Sequence, residues 1–185
     1  MKELALHILD LTMNCTRAGA TLVEITTEEY PEENLYRITI SDNGSGMGPE
    51  TVAKVADPFY TTRTTRKVGL GIPLLKQNAE QAGGNLEIIS QPGEGTRVIA
   101  TLQHGHIDRP PAGDLPGVLT MLMAGNPEIR FIYKHVTPRG IFSIDQENVI
   151  EMLDGVPISH PMVQQHIKAF IRQNLEILGA EFGDA

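Results

Sequence analysis

The sequence holds one cysteine, Cys15, among its 185 residues. No disulfide framework can form within the chain, and a reducing, cytoplasmic location is expected. Positive charge is also short: 15 Lys and Arg stand against 23 Asp and Glu, a net charge of −8. That balance argues against a partner held by phosphate neutralisation, so no nucleic acid is expected. No segment reaches the roughly 18 consecutive apolar residues that cross a bilayer. The opening Met1-Lys2-Glu3 has no long apolar run of a secretory leader. Neither a membrane span nor a membrane partner is expected. Internal repeats and low-complexity tracts are absent. The negative charge splits evenly, −4 over residues 1–103 and −4 over 104–185, so charge marks no domain boundary. Hydrophobic residues make up 41%, which fits a globular chain with a core.

Against these absences, one stretch is dense in chemistry: Asp42-Asn43-Gly44-Ser45-Gly46-Met47-Gly48. It follows an alternating, strand-like run over residues 35–40. Glycines free the backbone for close approach to a ligand, and a carboxylate at a strand end can accept from a ligand amine. Asp-Asn-Gly equally suits a plain hairpin turn or bulge.

The chain around this stretch alternates helices and strands. Residues 2–17 carry Leu4, Ile8, Leu11 and Cys15 at helical spacing. Asp10 and Asn14, four apart, share a face of that helix, either as a solvated stripe or as a paired acceptor and amide. Residues 20–28 read as a strand, and the acidic run 28–34 as a solvated hairpin loop. Pro49 opens a short helix. Residues 57–68 are polar, hydroxyl-rich and cationic, which fits a mobile loop or a lid over something anionic. Gly69-Leu70-Gly71 then opens a helix that ends at Gly83-Gly84, and glycines at a helix N-terminus leave N–H groups for an anion. Residues 86–90 and 96–102 read as strands joined by Pro92-Gly93-Glu94-Gly95.

In this order, the helix with Asp10 and Asn14, the Asp42–Gly48 turn, the cationic loop with Gly69-Leu70-Gly71, and Gly95-Thr96 resemble the ATP-binding domain shared by gyrase, histidine kinases, MutL and anti-sigma-factor kinases, the GHKL superfamily. The resemblance covers residues 1–103. It implies an α/β (α+β) sandwich of the Bergerat type, with a mixed, mostly antiparallel sheet faced by helices. It implies ATP and Mg²⁺ as cofactors. Asp10 matches the general base, where Glu is commoner. Asn14 matches the residue that coordinates Mg²⁺ through the nucleotide phosphates, and Arg17-Ala18 replaces a frequent Asp-Ala. Asp42 matches the carboxylate that selects adenine. Gly44 and Gly46 flank the base, and Met47 packs near it. Phe59 resembles the aromatic of the lid. Gly69, Leu70 and Gly71 match the second glycine box, and Thr96 a threonine that supports the adenine contact. Arg63, Arg66 and Lys67 are phosphate candidates by charge and place. No helical hairpin with a phosphoacceptor histidine precedes residue 4, so a complete sensor histidine kinase is not expected. His7 is expected to pack or cap, and Cys15 to be a small buried hydrophobe.

Residues 104–114, with Pro110-Pro111, read as a linker. Residues 115–185 read as a small α-β-β-α-α module, either separate or docked on the nucleotide domain. Its last helix carries Val163, Ile167, Phe170, Ile171, Leu175 and Leu178 as a stripe. His104, His106, His160 and His166 lack metal-ligand spacing, so no metal cluster is expected. The whole-chain pattern loosely resembles small ATPase-like proteins associated with iron hydrogenase genes in anaerobic bacteria. The function expected is a regulatory ATPase, or a serine/threonine-type protein kinase of the anti-sigma kind, acting on a regulatory protein partner or substrate. A non-catalytic nucleotide sensor is the alternative, and homodimerisation is left open.

Overall fold

A computed structural model describes residues 2–56 and 71–183. The first helix, α1 (Leu4–Arg17), buries Leu4, Ile8, Leu11 and Cys15, the apolar stripe of the sequence. Strands β1 (Leu22–Tyr30) and β2 (Leu35–Asp42) form an antiparallel hairpin. A single 3₁₀ turn at Pro31–Glu33 joins them, closed by Asn34 in the left-handed region at φ +52°. Helix α2 (Pro49–Val55) starts on its proline, as expected. Helix α3 (Gly71–Gln81) then leads into the hairpin of β3 (Asn85–Gln91) and β4 (Gly95–Gln103).

The later elements are α4 (Leu115–Gly125), β5 (Arg130–Thr137), β6 (Gly140–Asp145), α5 (Gln146–Met152) and α6 (Pro161–Leu178). The sequence leaves open whether they stand apart. In the structure β5 pairs in parallel with β1, from Leu22 opposite Arg130 to Glu28 opposite Val136, and β6 continues antiparallel on β5. A six-stranded mixed sheet results, in the order β3-β4-β2-β1-β5-β6, with four antiparallel pairings and one parallel. The last two strands thus extend the first sheet.

Every second strand residue points into the core: Val23, Ile25 and Thr27 on β1, Tyr36, Ile38 and Ile40 on β2, Phe131, Tyr133 and His135 on β5. The opposite face is polar and partly exposed, the pattern of a sheet covered on one side. Helices α1, α3, α4 and α6 pack over the buried face and share one continuous core with it. Each large side chain buried there contributes about 1.5–3 kcal/mol of transfer free energy. The same alternation corrects one expectation. Glu29 belongs to a charge run read as surface, but β1 continues through it and carries its side chain inward, leaving it 3% exposed.

In the segment 104–114, Ala112 and Gly113 are buried, whereas Ile107 is exposed. The first amides of α1, orphaned by helix geometry, donate to this segment, Leu4 N–H to Pro111 O at 2.9 Å and Ala5 N–H to Ala112 O at 2.8 Å. On α6 the buried stripe is Ile167, Ile171, Leu175 and Leu178, whereas Phe170 is half exposed and meets Phe142 edge-on at 5.8 Å. Gly179, at φ +61°, ends that helix, with Ala180 N–H returning to Leu175 O at 3.0 Å.

Candidate functional site

A cavity of about 460 Å³ opens between α1, the glycine loop after β2, α2 and the start of α3. Among the residues that line it are Asn14, Asp42, Gly46, Met47, Gly71 and Thr96, all expected from the sequence. Gly44 and Asp10 are not among the described residues that line it. Phe59, Arg63, Arg66, Lys67, Gly69 and Leu70, which carry the lid aromatic, the cations and most of the second glycine box, lie outside the described residues.

Asp42 ends β2, opposite Val23 on one side and Thr96 on the other. One carboxylate oxygen accepts from Gly44 N–H at 2.8 Å, which fixes the side chain in the cavity wall. The Cys15 thiol lies beside the same carboxylate and donates to Leu11 O at 3.3 Å. Burial, and then the charge of Asp42, push the thiol far up, so Cys15 is a neutral wall residue and no nucleophile.

The loop after Asp42 is stapled from three sides. Asn43 Oδ1 accepts from Thr21 N–H and Leu22 N–H, both at 2.9 Å, and its amide donates to Thr21 Oγ1 at 2.9 Å. Ser45 N–H donates to Ala18 O at 2.9 Å, and Gly93 N–H to Ser45 O at 2.7 Å. Met47 N–H donates to Ser90 Oγ at 2.8 Å, while Ser90 Oγ lies 2.9 Å from Thr96 Oγ1. Gly46, at φ +64°, has no room for a side chain, because a Cβ there would overlap the carbonyl of Gln91. Sequence reasoning passed over Asn43 and Ser90. Each is an ordinary polar residue whose role comes from partners distant in sequence.

Helix α1 brings the remaining groups. Asn14 Oδ1 accepts from Arg17 Nη1 at 2.8 Å, so a guanidinium stands at the mouth of the cavity. The Asp10 carboxylate lies against Gly71 at the first turn of α3 and fills the space that a Cβ on residue 71 would need. His7, one turn earlier, is fully buried, and its Nε2 lies 2.8 Å from Asn78 Nδ2 on α3. Burial pushes its pKa down to about 4, against the pull of Asp10. This is the packed histidine the sequence suggested.

A family model described as histidine kinase-, DNA gyrase B- and HSP90-like ATPase matches residues 1–106 of the chain. The protein belongs to this ATPase family. Among curated relatives, the non-motile and phage-resistance protein of Caulobacter vibrioides is 34% identical over 115 residues, 59% of this chain and 14% of that one. Sensor protein kinase FleS of Pseudomonas aeruginosa is 37% identical over 90 residues, 48% of this chain and 22% of that one. The chain thus spans less than a quarter of the length of either relative. Among solved structures, the N-terminal domain of a DNA repair protein superposes with a TM-score of 0.53 at 19% identity, covering 78% of this chain and 52% of that one. That likeness concerns fold alone. It extends past the family match, in keeping with the sheet that runs through β5 and β6. No described helix is long and apolar enough to cross a membrane.

Proposed function

We propose that this member of the ATPase family binds ATP in the cavity beside Asp42 and couples it to phosphoryl transfer, as a histidine kinase-like ATPase or a serine/threonine-type protein kinase of regulatory character. The observation that carries the reading is the Asp42 carboxylate, set in the wall of a 460 Å³ cavity with one oxygen fixed by Gly44 N–H. A fixed acceptor at that place discriminates a base bearing an exocyclic amine. Met47 offers an apolar surface to the ring, and Thr96 a hydroxyl beside Asp42. The N-terminus of α3 opens on the same cavity at Gly71, where a helix dipole favours phosphate.

The donor set suits magnesium. Asn14 lines the cavity and is the residue that would hold the ion, through a neutral amide oxygen of the hard type Mg²⁺ prefers. When bound with nucleotide, Mg²⁺ supplies Lewis-acid charge to the phosphates. The Arg17 guanidinium now donates to that oxygen. By swinging to the phosphates it would release the oxygen and add positive charge at the mouth. In phosphoryl transfer Asp10 takes the proton of the attacking water or hydroxyl. The acceptor is a regulatory protein partner.

A second reading, a non-catalytic sensor in which ATP changes the surface offered to a partner, is favoured by the place of Asp10. Its carboxylate abuts Gly71 and is not among the described groups that line the cavity. Asp10→Asn separates the two. Loss of phosphate release with unchanged ATP affinity supports catalysis, and release equal to that of the wild type leaves the sensor. Absence of any ATP binding by the wild type, measured calorimetrically with Mg²⁺ present, defeats both.

A further inference from the structure

Far from the cavity, at the other end of β1 and β2, polar side chains from five segments converge. Asp42 faces Val23, whereas Glu29 faces Tyr36, which puts the two places about 20 Å apart at the rise of a strand. Glu29 is buried, and His135 Nε2 donates to its Oε1 at 2.9 Å. His135 Nδ1 lies 2.6 Å from both Thr27 Oγ1 and Tyr133 Oη, so its ring is fixed. The Glu181 backbone N–H donates to both Glu29 oxygens, at 3.0 and 3.2 Å. His104 Nε2 stands 3.5 Å from Glu29 Oε2. Arg109 Nη2 donates to Glu181 Oε2 at 2.6 Å, and its guanidinium lies over the Tyr36 ring, 5.1 Å from the centroid.

Three features of this cluster are unusual for an ion-pair network. One donor atom each from Glu29, His104 and Glu181 lies within 4.8 Å of the other two. The 3.5 Å between His104 Nε2 and Glu29 Oε2 is long for a hydrogen bond. It is close to the roughly 3.3 Å that separates two ligands on a tetrahedral ion with bonds of about 2.0–2.1 Å. Second, the Tyr36 hydroxyl is fully buried and has no hydrogen-bond partner among the described residues. Tyr36 faces Glu29 across the pairing of β1 with β2, and its ring centroid lies 6.1 Å from that of His104, which brings the residue to the same cluster. A buried donor left unpaired costs on the order of 1–3 kcal/mol. Third, two carboxylates share a single guanidinium, that of Arg109, with the imidazoles of His104 and His135 as their other partners.

We propose that Glu29, His104 and Glu181 bind a first-row divalent cation of the zinc type, with the Tyr36 hydroxyl facing the ion. One imidazole and two carboxylates form an N/O donor set suited to Zn²⁺. His135 on Glu29 and Arg109 on Glu181 are the outer partners that orient such ligands. Glu181 is 40% exposed and leaves the ion a way in. The ion ties the tail after α6 and the segment after β4 to β1, and so fastens the later elements to the ATPase sheet. Spacing in the sequence cannot show it, because the three ligands come from a strand, a connecting segment and the tail.

The test uses untagged, chelator-stripped protein titrated with Zn²⁺ by calorimetry and by thermal unfolding, in the absence of nucleotide. Expected is one saturable equivalent and a raised Tm in the wild type, with both lost in His104→Gln and in Glu181→Gln. Absence of saturable binding, or wild-type binding retained in either variant, overturns the proposal. Should a variant fail to fold, Tyr36→Phe decides: it removes one unpartnered oxygen, Zn²⁺ affinity should fall about tenfold, and unchanged affinity overturns the site. Nucleotide binding is read separately, so failure here leaves the proposed function untouched.

Discussion

Replacing Asp42 by Asn tests the base-recognition reading with little change of shape. In the structure one Asp42 oxygen is committed to Gly44 N–H at 2.8 Å. An asparagine keeps that bond only by placing its oxygen there, which turns its NH₂ group toward the space left for the base. The amine of adenine would then meet a donor in place of a charged acceptor. A hydrogen bond to a charged group contributes about 1.5–3 kcal/mol. With roughly 1.4 kcal/mol per tenfold in affinity, its loss predicts ATP binding weaker by about 10- to 150-fold. Guanine carries an acceptor oxygen where adenine carries the amine, so GTP should lose less or gain, and the ATP:GTP preference should collapse. Calorimetric titration of both nucleotides against wild type and variant measures this, with the urea midpoint as a check on folding. A folded Asp42→Asn variant that binds ATP within about threefold of the wild type would refute the role given to Asp42.

Two further predictions concern the fold. His7 is held neutral by burial with a pKa of about 4, while the unfolded chain protonates it near 6.5. Stability therefore declines as pH falls from about 6.5 toward 4, by on the order of 2–3 kcal/mol; urea midpoints across that range should fall less in His7→Gln, and parallel curves would contradict the assignment. Ending the chain at residue 106 should destroy cooperative unfolding, because β1 loses its pairing with β5 and α1 loses the carbonyls of Pro111 and Ala112. Gel filtration and denaturation of that fragment check this, and a monomer with a sharp transition would show that the early elements suffice.

Legibility in the sequence follows the range of the interaction. The stripe of α1, the proline of α2 and the hairpin of β3 and β4 depend on neighbours within a few residues, and all were expected with boundaries close to those observed. The cavity was half legible. Asn14, Asp42, Met47 and Thr96 were expected there because the ordered set of motifs resembles the ATPase family, to which a glycine turn and a helical spacing point. Asn43 and Ser90 do not, since a partner at Thr21 or Met47 leaves no local trace. Glu29 misled for a related reason. Within an acidic run it looks solvated, and only strand alternation together with His135, far along the chain, makes its burial tolerable. The parallel pairing of β1 with β5 belongs to the same class, because no turn joins the two strands and register across a crossover is set by the packed helices.

That crossover bears on function through α1. The helix carries His7, Asp10 and Asn14 on successive turns, with Cys15 beside Asn14, so its axial position decides where the proposed base and magnesium ligand stand. Its N-terminal amides are held by Pro111 and Ala112, and its flank packs on α4. At its other end, the Ala18 carbonyl accepts from Ser45 in the glycine loop. Residues beyond the family match therefore hold the first turn of the helix that supplies Asp10 and Asn14. Gly113, which follows the two anchoring carbonyls, also accepts from Gly183 N–H at 2.9 Å, and Glu181 in the same tail is tied to Glu29 and Arg109. A force on the tail thus has a short, hydrogen-bonded route to the first turn of α1. On the proposed function, the later elements would serve the site by holding its helix, which requires no contact with nucleotide.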